Sequence, residues 1–174
     1  KVQAYDGRET APAAATENLF LKADGAPMAF NDAVVGGRSV GTPGTVRMLE
    51  LAHQEHGKSP WASLFTPAIQ QAEQGFPISH RLHTMVAGEK FLATDPTAKA
   101  YFYGADGQAL PVGTVLKNPE YAQVLRRIAQ QGSKALHEGE IAQAIVQKVR
   151  SHPNNPGVLS LQDMAGYQAK KREA

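Results

Sequence analysis

The sequence predicts a mainly α-helical chain, about seven helices with at most one small hairpin. Three observations carry this. A small polar residue followed by Pro recurs before helical patterns, at Thr42-Pro43, Ser59-Pro60 and Asn118-Pro119. The polar side chain accepts from an orphan N–H of the first turn, and Pro at the first helical position loses no hydrogen bond. Apolar residues recur at helical spacing, as in Trp61, Leu64, Phe65, Ala68 and Ala72. Alternating strand patterns are scarce.

The elements follow in chain order. Val2, Ala4 and Tyr5 before Asp6-Gly7 read as the end of a strand meeting a turn. Ala-rich Pro12 to Leu21, ended by Asp24-Gly25, reads as a first helix. Gly36 to Gly44 is a loop. Thr42-Pro43 opens a second helix with Met48, Leu51 and Ala52 on one face and Gly57 at its end. Ser59-Pro60 opens a third, which Gly75 and Pro77 stop. Ser79 caps a fourth, running to about Ala93. Tyr101-Phe102-Tyr103, the Gly104-Ala105-Asp106-Gly107 turn and Val112 to Leu116 make the one candidate hairpin. Asn118-Pro119 opens a fifth helix, with Tyr121, Val124, Leu125 and Ile128 on one face, ended by Gly132. Ile141, Ala144, Ile145 and Val149 mark a sixth, ended before Pro153. Ser160-Leu161-Gln162-Asp163 is a capping box with Asp for Glu, opening a short seventh.

The 174 residues amount to one domain or part of a larger one, without an internal boundary over 1–174. A 42% hydrophobic and 20% charged composition is that of a globular chain. The net charge, 18 − 16 = +2, lacks the clustered basic face of a nucleic-acid binder. Cys is absent, so disulfides, thiolate metal sites and thiol catalysis are excluded. No stretch approaches the roughly 18 apolar residues of a membrane span, and the N-terminus has no signal-peptide pattern. Both ends are abrupt, and the chain is expected to be a fragment of a longer one, with self-association a possible consequence of apolar faces left uncovered.

Gly36 and Gly41 have the outer spacing of a phosphate-binding loop, but Thr42-Pro43 stands where Lys-Ser/Thr is required. A tight backbone-dominated loop is the stronger reading. His53 with His56, and His80 with His83, sit at i, i+3, and Glu50-x-x-His53 is half of a di-iron motif whose second half is absent. Solvated histidines are expected, and no metal site. No Gly-x-Ser-x-Gly elbow is present. Arg8 lies between a strand end and the expected helix at Pro12. A guanidinium beside a helix N-terminus suits a carboxylate. A surface Arg paired with Glu9 or Asp6 is the alternative, and on these grounds both stay open.

Four segments together resemble the γ-glutamyltranspeptidase (glutathione hydrolase) family. They are Asp6-Gly7-Arg8-Glu9-Thr10-Ala11-Pro12, Gly36 to Thr45, Leu64 to Ile69 with Gly75 to Ser79, and Leu159 to Tyr167. They run in the family's order over nearly the whole chain. The resemblance implies an internal, mostly helical piece of the large subunit of an autoprocessed precursor. The parent fold would be a four-layer αββα N-terminal-nucleophile hydrolase, periplasmic or secreted in bacteria and needing no cofactor. Its partners would be a glutathione-like γ-glutamyl substrate and the small subunit. The small subunit's terminal Thr attacks the γ-glutamyl amide, so no catalytic residue is expected in this chain and Thr10, Thr42 and Thr45 do not inherit that role. Arg8 matches the Arg that clamps the γ-glutamyl α-carboxylate, which makes it the one expected substrate-binding residue. Two other readings are a glutaryl-amide (cephalosporin) acylase relative of the same fold and a non-catalytic helical interaction module.

Overall fold

In the computed structural model, which describes residues 2–173, short strands frame a run of helices. Strand β1 (Gln3–Asp6) is followed by α1 (Phe30–Val34) and α2 (Thr45–His56). A 3₁₀ turn (Trp61–Phe65) leads into α3 (Thr66–Gln74), β2 (Phe76–Pro77) and α4 (His80–Gly88). Next come a second 3₁₀ turn (Leu92–Thr94), α5 (Pro96–Phe102), β3 (Val115–Leu116) and α6 (Pro119–Gln131). The last elements are α7 (Lys134–His137), α8 (Gly139–Arg150), α9 (Leu161–Gly166) and β4 (Lys170–Glu173). The mainly helical class holds, with nine α-helices and four strands among the described residues.

The chain divides into two compact units, Phe65–Arg126 and the residues on either side of that segment. In the outer unit α7, α8 and α9 pack together, and Ala142, Val149, Leu159 and Met164 form a buried cluster with Val40, Ile145 and Val146 against it. β1 pairs antiparallel with β4, Gln3 opposite Glu173 and Asp6 opposite Lys170. Sequence reasoning left that second strand unassigned because Lys170-Lys171-Arg172-Glu173 has no apolar alternation. Backbone pairing with β1 holds it, and side chains add to the tie. Lys171 Nζ lies 2.5 Å from Glu55 Oε1 on α2, and Tyr5 Oη donates to Glu55 Oε2 at 2.6 Å. Lys171 first, then Tyr5, keeps the Glu55 carboxyl below its ordinary pKa.

In the Phe65–Arg126 unit, Phe76–Pro77 pairs antiparallel with Val115–Leu116, and Ala72, Ile78, Val86, Leu116, Ala122 and Leu125 are buried. Ser79 Oγ accepts from Leu82 N at 3.1 Å and Asn118 Oδ1 from Tyr121 N at 2.8 Å, so both expected caps form. The Ser79 helix stops at Gly88, short of Ala93, and Glu89 Oε1 turns the chain by accepting from Phe91 N.

Four expectations are corrected. Pro12 to Leu21 is a series of single turns. Only Pro12 of its first nine residues is buried, and Ala propensity without a buried face does not sustain so short a helix. Tertiary partners also take its backbone groups: Asp163 Oδ1 accepts from Ala13 N at 2.8 Å, and Arg38 Nη1 donates to Leu19 O at 2.7 Å. The Thr42-Pro43 helix begins later, at Thr45, because Thr42 is committed to a backbone bridge with Thr10. The Ser59-Pro60 helix is split at Thr66-Pro67, since Pro67 has no N–H to continue the ladder and opens α3 instead. The hairpin fails at its first strand. Tyr101 and Phe102 end α5, which Asp95-Pro96 starts by the same Pro device, with Asp95 Oδ1 accepting from Ala98 N at 2.9 Å. The Gly104–Gly107 turn remains, closed by a bridge between Tyr103 and Ala109, while Val115 and Leu116 pair with β2.

Candidate functional site

The loop Asp6–Thr10 leaves β1 and is fixed almost wholly through its backbone. Asp6 Oδ1 accepts from the Arg8 amide at 3.0 Å, and Asp6 Oδ2 from Arg172 Nε at 2.7 Å. The Arg8 amide first and Arg172 second hold the Asp6 carboxyl below the ordinary Asp value. Thr10 and Thr42 exchange backbone bonds, Thr42 N to Thr10 O at 2.8 Å and Thr10 N to Thr42 O at 3.3 Å. Tyr167 Oη donates to Arg8 O at 2.8 Å. Gly7 is required by contact: a Cβ there would lie 2.4 Å from Met48 Cβ on α2.

From this loop the Arg8 side chain extends into solvent, 81% exposed, with Nε 3.1 Å from Glu9 Oε1. The helix expected just after it does not form, so no helix dipole reinforces Arg8. What remains is a guanidinium on a fixed backbone, steadied on its Nε side by Glu9. A planar guanidinium fork matches the two oxygens of a carboxylate in geometry and charge.

The glycine-rich loop sits behind the Arg8 loop. Its Thr42 is 1% exposed, and a Cβ on Gly41 would lie 3.0 Å from Glu9 Cγ. It is a packing loop, as the missing Lys-Ser/Thr pair led one to expect. Gly36 has φ +125°, and a Cβ on Gly37 would lie 1.8 Å from Val149 O. The histidines of the i, i+3 pairs are spread over local partners: His53 Nε2 faces Ser59 O at 2.8 Å, His56 Nε2 faces Tyr5 Oη at 2.7 Å, and His83 Nδ1 faces Leu110 O at 2.9 Å. Among the described residues no three His, Asp or Glu side chains group as metal ligands.

Sequence reasoning missed two members of this neighbourhood. Tyr167 lies 159 positions from Arg8 and is 5% exposed. His137 is 1% exposed and stacks on Tyr167, with ring centroids 5.9 Å apart and planes at 30°. Its Nδ1 meets Met164 O at 2.8 Å, and its buried Nε2 has no partner among the described residues. Burial pushes the His137 pKa down. No local spacing signals either residue, because their role comes from long-range packing.

The family model described as Gamma-glutamyltranspeptidase matches residues 1–174. The glutathione hydrolase proenzyme of Pseudomonas aeruginosa is 32% identical over 168 residues, covering 97% of this chain and 29% of that protein. The crystal structure of Helicobacter pylori γ-glutamyltranspeptidase superposes with a TM-score of 0.88 at 29% identity, over 97% of this chain and 48% of that one. A cephalosporin acylase from Bacillus halodurans matches less well, with a TM-score of 0.79 at 25% identity over 99% of this chain and 32% of that one. The chain spans less than a third of the length of the curated relatives it matches. With the family pattern running from one end of the sequence to the other and the fold agreeing over the same span, the chain belongs to the γ-glutamyltranspeptidase family.

Proposed function

We propose that the chain is the helical part of the large subunit of a longer γ-glutamyltransferase or glutathione hydrolase, and that Arg8 anchors the α-carboxylate of the γ-glutamyl donor. The observation that carries this is the solvent-facing Arg8 guanidinium on a loop whose backbone is held at Asp6, Arg8 and Thr10. In the parent enzyme, an αββα N-terminal-nucleophile hydrolase, a terminal Thr of the small subunit acts with its own α-amine as base. Its hydroxyl attacks the γ-carbonyl and the amine leaves with a proton. The resulting γ-glutamyl ester passes to water or to an amino acid. Arg8 takes no part in bond making. It fixes the donor's far end, so that the γ-carbonyl arrives in register with the nucleophile. A periplasmic or secreted location and autoprocessing of the precursor belong to the same proposal.

The test is Arg8→Ala and Arg8→Lys in the full-length protein, with γ-glutamyl-4-nitroanilide as donor. A charge-assisted bidentate contact predicts a rise in KM of about ten- to hundredfold for Ala, with kcat little changed. Lys recovers part of the loss, because a point charge does not reproduce the fork. An unchanged KM in both variants would falsify the assignment of Arg8. The glutaryl amide, run beside the γ-glutamyl amide, separates the acylase reading: both carry the carboxylate, and only the second carries the α-amine.

A further inference from the structure

Arg8 reaches into solvent, so its aim is set by the backbone from which it leaves. The carbonyl of Arg8 itself is held by one side chain, the phenol of Tyr167, at 2.8 Å. Tyr167 is held at its ring and at its backbone carbonyl. Its ring stacks on buried His137, and Arg47 Nη1 donates to the Tyr167 carbonyl and, at 3.0 Å, to the Ala165 carbonyl. Gly44 leaves room for the hydroxyl and for the neighbouring loop: a Cβ there would lie 2.0 Å from Tyr167 Oη and 2.6 Å from Gly7 O, although the Gly44 φ of −129° suits any residue. Gly44 is therefore glycine because the phenol and the Gly7 carbonyl both crowd it, not because of its own backbone conformation.

We propose that Tyr167 is a positioning residue for Arg8, its hydroxyl locking the Arg8 carbonyl and so the direction from which the guanidinium meets the donor carboxylate. The inference rests on the reading of Arg8 given above. Burial, with the Asp6 and Glu9 charges, pushes the Tyr167 hydroxyl pKa up, so it stays protonated as a donor through the neutral range. Loss of the hydrogen bond leaves Arg8 in place and lets its loop sample other orientations. The cost falls on affinity for the carboxylate, not on the acyl-transfer step.

The experiment is a double-mutant cycle of Tyr167→Phe and Arg8→Ala in the full-length protein. It reads KM for γ-glutamyl-4-nitroanilide, the inhibition constant of free L-glutamate, and kcat. Tyr167→Phe keeps the ring and its stack. It is expected to raise KM and the inhibition constant together by about three- to tenfold, as for one uncharged hydrogen bond, with kcat within about twofold. In the Arg8→Ala background the same change adds nothing, because no side chain is left for the loop to aim. Gly44→Ala, which crowds the hydroxyl and the Gly7 carbonyl together, is expected to raise the same two constants by more than Tyr167→Phe does. Equal effects of Tyr167→Phe in both backgrounds overturn the proposal, as does a fall in kcat at constant KM. If Arg8→Ala raises both constants and Tyr167→Phe neither, the Tyr167 role fails and the Arg8 reading stands. If Arg8→Ala itself changes nothing, the Arg8 reading fails and takes this one with it.

Discussion

Single atoms decide the loops that carry no regular structure. Gly37 donates its amide to Asn155 O at 2.8 Å, and its Cα stands so close to α8 that a methyl group would sit 1.8 Å from Val149 O. Asn155, 5% exposed, secures the same region. Its Nδ2 reaches Asp32 O and Val35 O at 2.9 Å each, and its Oδ1 accepts from Arg38 Nε at 2.6 Å. Because the obstacle at Gly37 is backbone, a side chain cannot swing aside to relieve it. Gly37→Ala is expected to cost about 3 kcal/mol, the upper end for overpacking. That corresponds to a melting temperature lower by roughly 6–12 °C for a chain of this size. Thermal unfolding of the variant within a degree of the parent would show that the loop yields. At Arg8 the residue scale has little to do with stability. Its ion pair with Glu9 is exposed and contributes little to folding, which leaves the guanidinium available to a ligand.

Helix α9 shows how far a local signal reaches. Ser160 Oγ accepts from Asp163 N at 3.1 Å and Asp163 Oδ2 accepts from Ser160 N at 2.9 Å, the reciprocal box expected from four consecutive residues. The structure adds a tertiary bond, Asp163 Oδ1 accepting from Ala13 N. Burial alone would raise the Asp163 pKa, but the bonds from Ser160 and Ala13 outweigh it and the net shift is downward. A carboxyl whose folded pKa lies below its unfolded one stabilises the fold fully above the unfolded value. That contribution is lost as pH falls through the folded value. Ser160→Ala is thus expected to cost about 1 kcal/mol at neutral pH. The stability gap between the parent and Asp163→Ala should shrink as pH drops below about 4. Denaturant titrations at neutral and acid pH read both, and a gap that widens in acid would contradict the sign. Elsewhere the local signal names the neighbourhood and not the boundary. Ser59-Pro60 and Thr42-Pro43 each precede a helix that starts later, because Pro67 restarts the ladder and Thr42 bonds to Thr10.

Over the whole chain, the proposed function assigns substrate anchoring to Arg8 and the nucleophile to another subunit. The purified 174-residue chain is expected to release no nitroaniline from γ-glutamyl-4-nitroanilide, and turnover above background would show that it holds a complete site. Among the described residues no helix is long and apolar enough to cross a membrane. Helical class, the caps at Ser79, Asn118 and Ser160, and the glycine stops at Gly57, Gly75 and Gly132 were legible because a cap or a stop needs only the few residues of one turn. The Arg8 motif was legible too, through the resemblance its neighbours carry. The tertiary structure alone decided three things. It made Pro12 to Leu21 a set of turns, whose backbone groups answer to Asp163 and Arg38. It made the charged tail a strand, paired with β1 and tied by Lys171 to Glu55. And it set Tyr167 and His137 behind Arg8, where contacts spanning up to 159 residues of chain are chosen by packing and leave no trace in local spacing.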